Sequence, residues 1–292
     1  MLDKEIWHQI KAAWQKAWRP NKPEAFPKAP SLPALIDLAP PRPAWPEPDL
    51  EAIRAIVAGG DALYDPWERS PVRFEDEDSH AEEIIDALFP GNPLLCVGQT
   101  SYRFATRRRE CWRGHLHRMP LMVPNPMLNW VGHPVDEDRF SQHTKEATAR
   151  QVYLGIEFDF SEFARDGKTP CQWAGLVREW AAQGITVEDA CATLHLHLSR
   201  LLPLIAVCHS GGKSLHGLYC VFGQNEDHLR ISFMEHAVRL GADKATWERS
   251  QFVRIPDGLR ENGQRNAPIT STPERQSGYE HRQDPIVRAA RI

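Results

Sequence analysis

VYLGIEFDF, residues 152–160, decides how this chain is read. The segment is apolar, aromatic and β-branched, yet it carries two carboxylates, Glu157 and Asp159, two positions apart. A strand repeats its side-chain direction every two residues, so both acids leave one face. Val152, Leu154, Ile156, Phe158 and Phe160 make the strand apolar around them. Two like charges held close together against a core are costly unless a cation neutralises them, so the pair reads as a metal site.

Two further segments work outward from this strand. In CHSGGKSLHGLYCVF (208–222), PLIAVCHS before the turn and LHGLYCVF after it read as strands, joined by SGGKS. The turn offers Lys213 and Ser214, and Ser214 and His216, two apart, share a strand face. A P-loop would need glycine five residues before Gly212, where Val207 stands, and a helix after the lysine, where the sequence instead alternates. Cys208 and His209, adjacent on a strand, point to opposite faces, so a thiol–imidazole pair is not read there. In GADKATWERSQFVRIPDG (241–258), Asp243 is a third acid, and Arg254 closes a short strand, SQFVRIP, just before a proline. Three acids and a set of phosphate-binding groups suit a divalent-metal nucleotidyl-transfer site.

The rest of the C-terminal half reads as helices around these strands. Residues 171–202 predict two helices broken at Gly184-Ile185-Thr186, with Thr186 capping the second. Residues 228–241 predict a helix ended by Gly241. Strand, helices, hairpin, helix, strand is the order of an α+β layer with a mostly antiparallel sheet.

Upstream, Ile6, Ile10, Trp14 and Trp18 give residues 4–18 helical spacing. Residues 20–48 are proline-dense and read as an extended linker. DLEAIRAIVAGG (49–60) predicts a helix begun by Asp49 and ended by the glycine pair. FEDEDSHAEEIIDALFPG (74–91) predicts a loop and a helix, PLLCVGQ (93–99) a buried strand, and PLMVPNPML (120–128) a strand ending in a turn. Between them SYRFATRRRECWRGHLHRM (101–119) mixes six arginines with Tyr102, Phe104 and Trp112, a composition that suits phosphate contact and base stacking. From about residue 270 the chain reads as a polar tail.

Composition adds bounds. The 292 residues suffice for one large or two modest domains, 41% of them are hydrophobic, and the net charge of −4 neither demands nor excludes nucleic acid. No run of about 18 uncharged apolar residues is present, so no membrane span is expected. The N-terminus lacks an apolar core and is not read as a signal peptide. Six scattered cysteines without a CxxC read as reduced thiols of a cytoplasmic protein. Cys171, Cys191 and His195, or Cys111, His115 and His117, match no standard zinc spacing.

Taken in order, Glu157-x-Asp159, Ser214-Leu215-His216, Ala242-Asp243 and Arg254-Ile255-Pro256 resemble the motifs of the archaeo-eukaryotic primase family, the primase–polymerases. The resemblance covers about residues 150–270. It implies a primase–polymerase fold: an RRM-like, mostly antiparallel catalytic sheet with a flanking N-terminal α/β module. The expected division is a Trp-rich helix and linker (1–48), the flanking module (49–150), the catalytic core (151–270) and the tail (271–292). The implied activity is template-directed addition of nucleotides from NTPs or dNTPs, with release of pyrophosphate. The resemblance gives Glu157, Asp159 and Asp243 two Mg²⁺ or Mn²⁺ ions, and gives Ser214 and His216 the phosphates of the incoming nucleotide. Lys213 and Arg254 are candidates for further phosphate neutralisation. Arg107, Arg108, Arg109 and Arg113 are candidates for holding a single-stranded DNA template or the initiating nucleotide. No helicase motif follows, so a separate replicative helicase is the implied partner, in the setting of a phage or mobile element. The first acid is Glu where Asp is commoner, Asp257 interrupts the proline–glycine pair, and the usual zinc element is not recognisable. Three other readings stay open: a catalytically degenerate module that binds DNA or nucleotide, another metal-dependent phosphotransferase or nuclease, and an adaptor whose N-terminal helix recruits a helicase.

Overall fold

The computed structural model describes residues 44–60, 80–132, 141–164, 166–210, 214–221, 227–260, 263 and 266–268. The expected helix over 4–18, most of the proline-dense segment, the glycine–lysine turn with Lys213, and the tail lie outside the described residues.

Eight strands and five α-helices are present among the described residues, in the order α1 (Leu50–Ala58), α2 (His80–Leu88), β1 (Leu94–Gly98), β2 (Phe104–Arg108), β3 (Leu121–Met122), β4 (Tyr153–Phe158), α3 (Ala174–Ala182), α4 (Val187–Leu198), β5 (Leu204–His209), β6 (Leu215–Cys220), α5 (Asp227–Arg239), β7 (Val253–Arg254) and β8 (Ala267–Pro268). The local chemistry accounts for their ends. Asp49 accepts the Ala52 N–H at 3.0 Å and starts α1. Thr186 and Asp189 cap each other's backbone at the start of α4. The chain leaves α5 through Gly241 at φ +94°, a conformation open to glycine. The strand expected over 120–128 shrinks to Leu121–Met122, because Pro120, Pro124 and Pro126 cannot donate to a ladder.

The strands form two four-stranded sheets, ordered β2-β1-β3-β7 and β4-β6-β5-β8, and every pairing within them is antiparallel. Period-two alternation then builds three layers. Leu154, Ile156 and Phe158 of β4, with Leu215 and Tyr219 of β6, pack on Ile53, Leu176, Trp180, Leu194 and Met234 from the helices. The opposite face, with Tyr153, Leu218 and Cys220, packs on Leu95, Val97, Met122 and Val253 of the first sheet. The order is helices α1, α3, α4 and α5, second sheet, first sheet, while α2 packs Ala81, Ile85 and Leu88 into the core that the two sheets share.

The expected boundary at residue 150 does not divide the packing. β7 comes from the C-terminal half yet pairs with β3 in the first sheet. Helix α1 comes from the N-terminal half yet buries Ile53 and Val57 in the core of the second sheet. Gly155 sets how closely the sheets approach: a Cβ there would lie 2.8 Å from Val253 Cγ1. Its absence lets β7 lie against β4, which brings Arg254 next to Glu157.

Candidate active site

The acids gather at the C-terminal end of β4. Burial along residues 157–160 alternates half-buried, buried, exposed, buried. Glu157 and Asp159 therefore share the face opposite Phe158 and Phe160, which stack with ring centres 6.0 Å apart in the core. Asp243 joins them through the backbone. Its N–H donates to the Glu157 carbonyl at 2.9 Å, beside an antiparallel bridge between Phe158 and Ala242. Its carboxylate accepts the Ala245 N–H at 2.9 Å and so starts the 3₁₀ turn Lys244–Trp247.

Glu157 and His216 are direct partners across β4 and β6, and Cys208 continues the row on β5. Side chains in such a row leave one face, here the face turned to the first sheet. His216 Nε2 lies 3.4 Å from Glu157 Oε1 and 3.4 Å from Ser214 Oγ, and Ser214 Oγ bonds Ser210 Oγ at 2.8 Å. Arg254 enters from β7. Glu157, Cys208, His216 and Arg254 line a narrow cleft, with Thr246, Phe252 and Pro256 on its walls. His195 supports the floor from the helix layer. It bonds the Tyr219 hydroxyl at 3.0 Å and the Leu215 carbonyl at 3.2 Å, and fills the space that Gly217 leaves.

The electrostatics follow from this crowding. Burial, then the charges of Asp159 and Asp243, push the Glu157 carboxyl up to about 7, against the pull of Arg254 and a hydrogen bond from Ser214. Burial first, then Arg254 and neighbouring cations, bring the His216 imidazole down to about 3, so it is neutral at ordinary pH. Burial and a second guanidinium, Arg260, lower Arg254.

Arg260 is a site residue that the sequence did not disclose. It donates to the Ser210 carbonyl at 2.5 Å, and its charge reaches both Arg254 and His216. The turn at 255–258 folds it back into the site, and a lone arginine after a turn carries no periodic signal. Asn266 was missed in the same way. Buried completely, it donates to the Pro120 and Ile255 carbonyls at 3.0 Å each and pins that turn.

The arginines of the basic block separate. Arg107, Arg108 and Arg113 are exposed; Arg107 lies over the Trp112 ring at 5.4 Å, and Arg113 pairs with Asp86 at 3.1 Å. Arg109 is fully buried, with Glu82 at 2.6 Å and Asp86 at 2.9 Å. Its expected contact with nucleic acid is therefore corrected. A guanidinium sunk in the protein beside two carboxylates ties α2 to the end of β2 and cannot reach a strand in solvent.

The donor set suits a hard divalent cation, since Glu157, Asp159 and Asp243 offer carboxylate oxygens. The Glu157 carboxyl, raised by burial first and then by the charges of Asp159 and Asp243, is one that such an ion would favour in its ionised form. Among the described residues no three His, Cys, Asp or Glu side chains close on a common point. The three acids are neighbours through charge rather than through shared contact. No helix among the described residues is long and apolar enough to cross a membrane. No family model, curated protein or solved structure matches the chain.

Proposed function

We propose that this chain is a primase–polymerase: a metal-dependent, template-directed nucleotidyltransferase that uses NTPs or dNTPs on single-stranded DNA. What supports the reading is that Glu157, His216 and Arg254, from three strands far apart in the chain, line one cleft, with Asp159, Asp243 and Ser214 close enough to Glu157 to act on its charge.

Glu157, Asp159 and Asp243 would hold two Mg²⁺ or Mn²⁺ ions, which when bound acidify the attacking hydroxyl and offset charge on the triphosphate. His216, kept neutral by its surroundings, donates a hydrogen bond to a phosphate oxygen rather than supplying charge. Ser214 donates beside it. Arg254 and Arg260 supply the positive charge, and their mutual repulsion favours an anion between them. The 3′-oxygen forms a bond to the α-phosphorus, the bond from that phosphorus to the bridging oxygen breaks, and pyrophosphate leaves. Arg107, Arg108 and Arg113, which are exposed, would neutralise template phosphates. A separate helicase would open the duplex, since single-stranded template is the substrate.

The test compares wild type with an Asp159→Ala, Asp243→Ala double variant on a primed single-stranded template with Mg²⁺ or Mn²⁺. Incorporation of labelled nucleotide by wild type and its loss in the variant are expected. Tight DNA binding with no incorporation by either protein would instead favour a degenerate binding module.

A further inference from the structure

The tip of the β1–β2 hairpin carries an aromatic ring that the fold does not use. Tyr102 is 92% exposed, in a turn that is well held. Thr100 Oγ1 accepts the N–H groups of Tyr102 at 3.1 Å and Arg103 at 2.9 Å, and the Gln99 N–H donates to the Arg103 carbonyl at 2.8 Å. Gly98 makes the turn possible, because a Cβ there would lie 2.8 Å from the Thr100 carbonyl oxygen. A turn that needs only polar residues here presents a rigid apolar ring to water.

Sheet register fixes where this tip lies. Phe104 pairs with Gly98, Gly98 with Leu121 and Leu121 with Arg254, so one row crosses the first sheet from β2 to β7. Residues 99–103 extend past that row at the end where the chain leaves β7 for the turn at 255–258 and Arg260. The 3₁₀ turn Leu116–Arg118 lies at the same end, because Leu259 N–H donates to the His117 carbonyl at 2.9 Å. Tyr102, exposed Arg103 and exposed Arg118 therefore share one rim of the sheet with Arg254 and Arg260. Three strand steps of about 4.8 Å separate β2 from β7, roughly 14 Å, the length of about four stacked nucleotides.

We infer that Tyr102 is a stacking platform for a base of the single strand, held on a rim whose arginines follow the phosphates toward the cleft. An aromatic face accepts any base, which suits a strand whose sequence must be free to vary. The inference rests on the reading of the cleft as a template-directed site, but its test is an equilibrium measurement without turnover. The full-length chain is titrated into a fluorescein-labelled oligothymidylate, and anisotropy is followed at several salt concentrations. Tyr102→Ala is expected to weaken binding by about five- to 150-fold, the ratio set by about 1–3 kcal/mol per stacked base. Tyr102→Trp keeps the affinity. The salt slope is unchanged in Tyr102→Ala and falls by about 0.7 in Arg103→Ala. Tyr102→Ala binding as tightly as wild type overturns the inference and leaves the ring to a protein partner. Tyr102-dependent binding by a chain that incorporates no nucleotide supports it and counts against the polymerase reading alone.

Discussion

Glu157 is held in a largely buried position within reach of the charges of Asp159 and Asp243, and its proton is a sensitive reporter of the site. Its folded pKa of about 7 exceeds the ordinary 4.5, so between these values the folded chain binds more protons than the unfolded one. Raising the pH through that window therefore lowers stability. His216 acts in the other direction: about 3 when folded against 6.5 otherwise, it adds stability as pH rises from 3 to 6.5. Glu157→Gln removes only the first effect. Urea denaturation should show the variant gaining on the order of 2–3 kcal/mol over wild type at pH 8 and much less at pH 5. An equal gain at both pH values would contradict the assignment. Metal uptake at neutral pH should likewise release protons, seen by calorimetry in buffers of different ionisation enthalpy. Asp257 makes a second case. The resemblance places glycine after Pro256, and Asp257 adopts φ +62° there, with the Gly258 N–H donating to the Ile255 carbonyl at 3.1 Å. This is a type II turn with proline and then a left-handed residue, a conformation aspartate and asparagine tolerate. Asp257→Val should cost more than Asp257→Asn by about 1–2 kcal/mol in urea titrations.

At the scale of elements, what local chemistry decides was legible and what distant pairing decides was not. Helices α1, α3, α4 and α5 and strands β1, β4, β5 and β6 fall where caps, glycines and alternation put them. The acids at 157 and 159 were legible because period two is a local rule. The partner of β7 was not, since Val253 and Arg254 find β3 more than a hundred residues earlier, and nothing local to SQFVRIP names that edge. Arg109 was misread because a run of three arginines reads alike whether it faces water or carboxylates; only the approach of α2 buries one of them. Two glycines test the packing that results. Gly217→Ala would set a Cβ 2.5 Å from His195 Nδ1, displacing the ring that holds Leu215 and Tyr219. A loss of about 1–3 kcal/mol is expected from denaturation curves. Gly155→Ala should push β7 from β4 and lower activity out of proportion to its smaller stability cost, as Arg254 moves from Glu157; unchanged kcat/KM would contradict that placement.

For the molecule as a whole, β7 pairs into the first sheet and α1 packs on the second, so the two sheets are expected to unfold as one cooperative unit. Tryptophan fluorescence and circular dichroism should report coincident unfolding of the full chain, and residues 151–270 alone should show no cooperative transition, lacking α1 and the first-sheet strands β1, β2 and β3. A fragment that unfolds cooperatively would restore the boundary at residue 150. The interlocking also explains the site: Glu157 and His216 belong to the second sheet, Arg254 to the first, and the cleft lies where the two meet. The central claim is that this cleft adds nucleotides under instruction from a template. The most direct measurement supplies the four nucleotides one at a time, with Mn²⁺, on homopolymer single-stranded templates carrying a primer. Extension by the complementary nucleotide alone on each template is the predicted result. Extension that ignores the template base, or degradation of the DNA without added nucleotide, would contradict it.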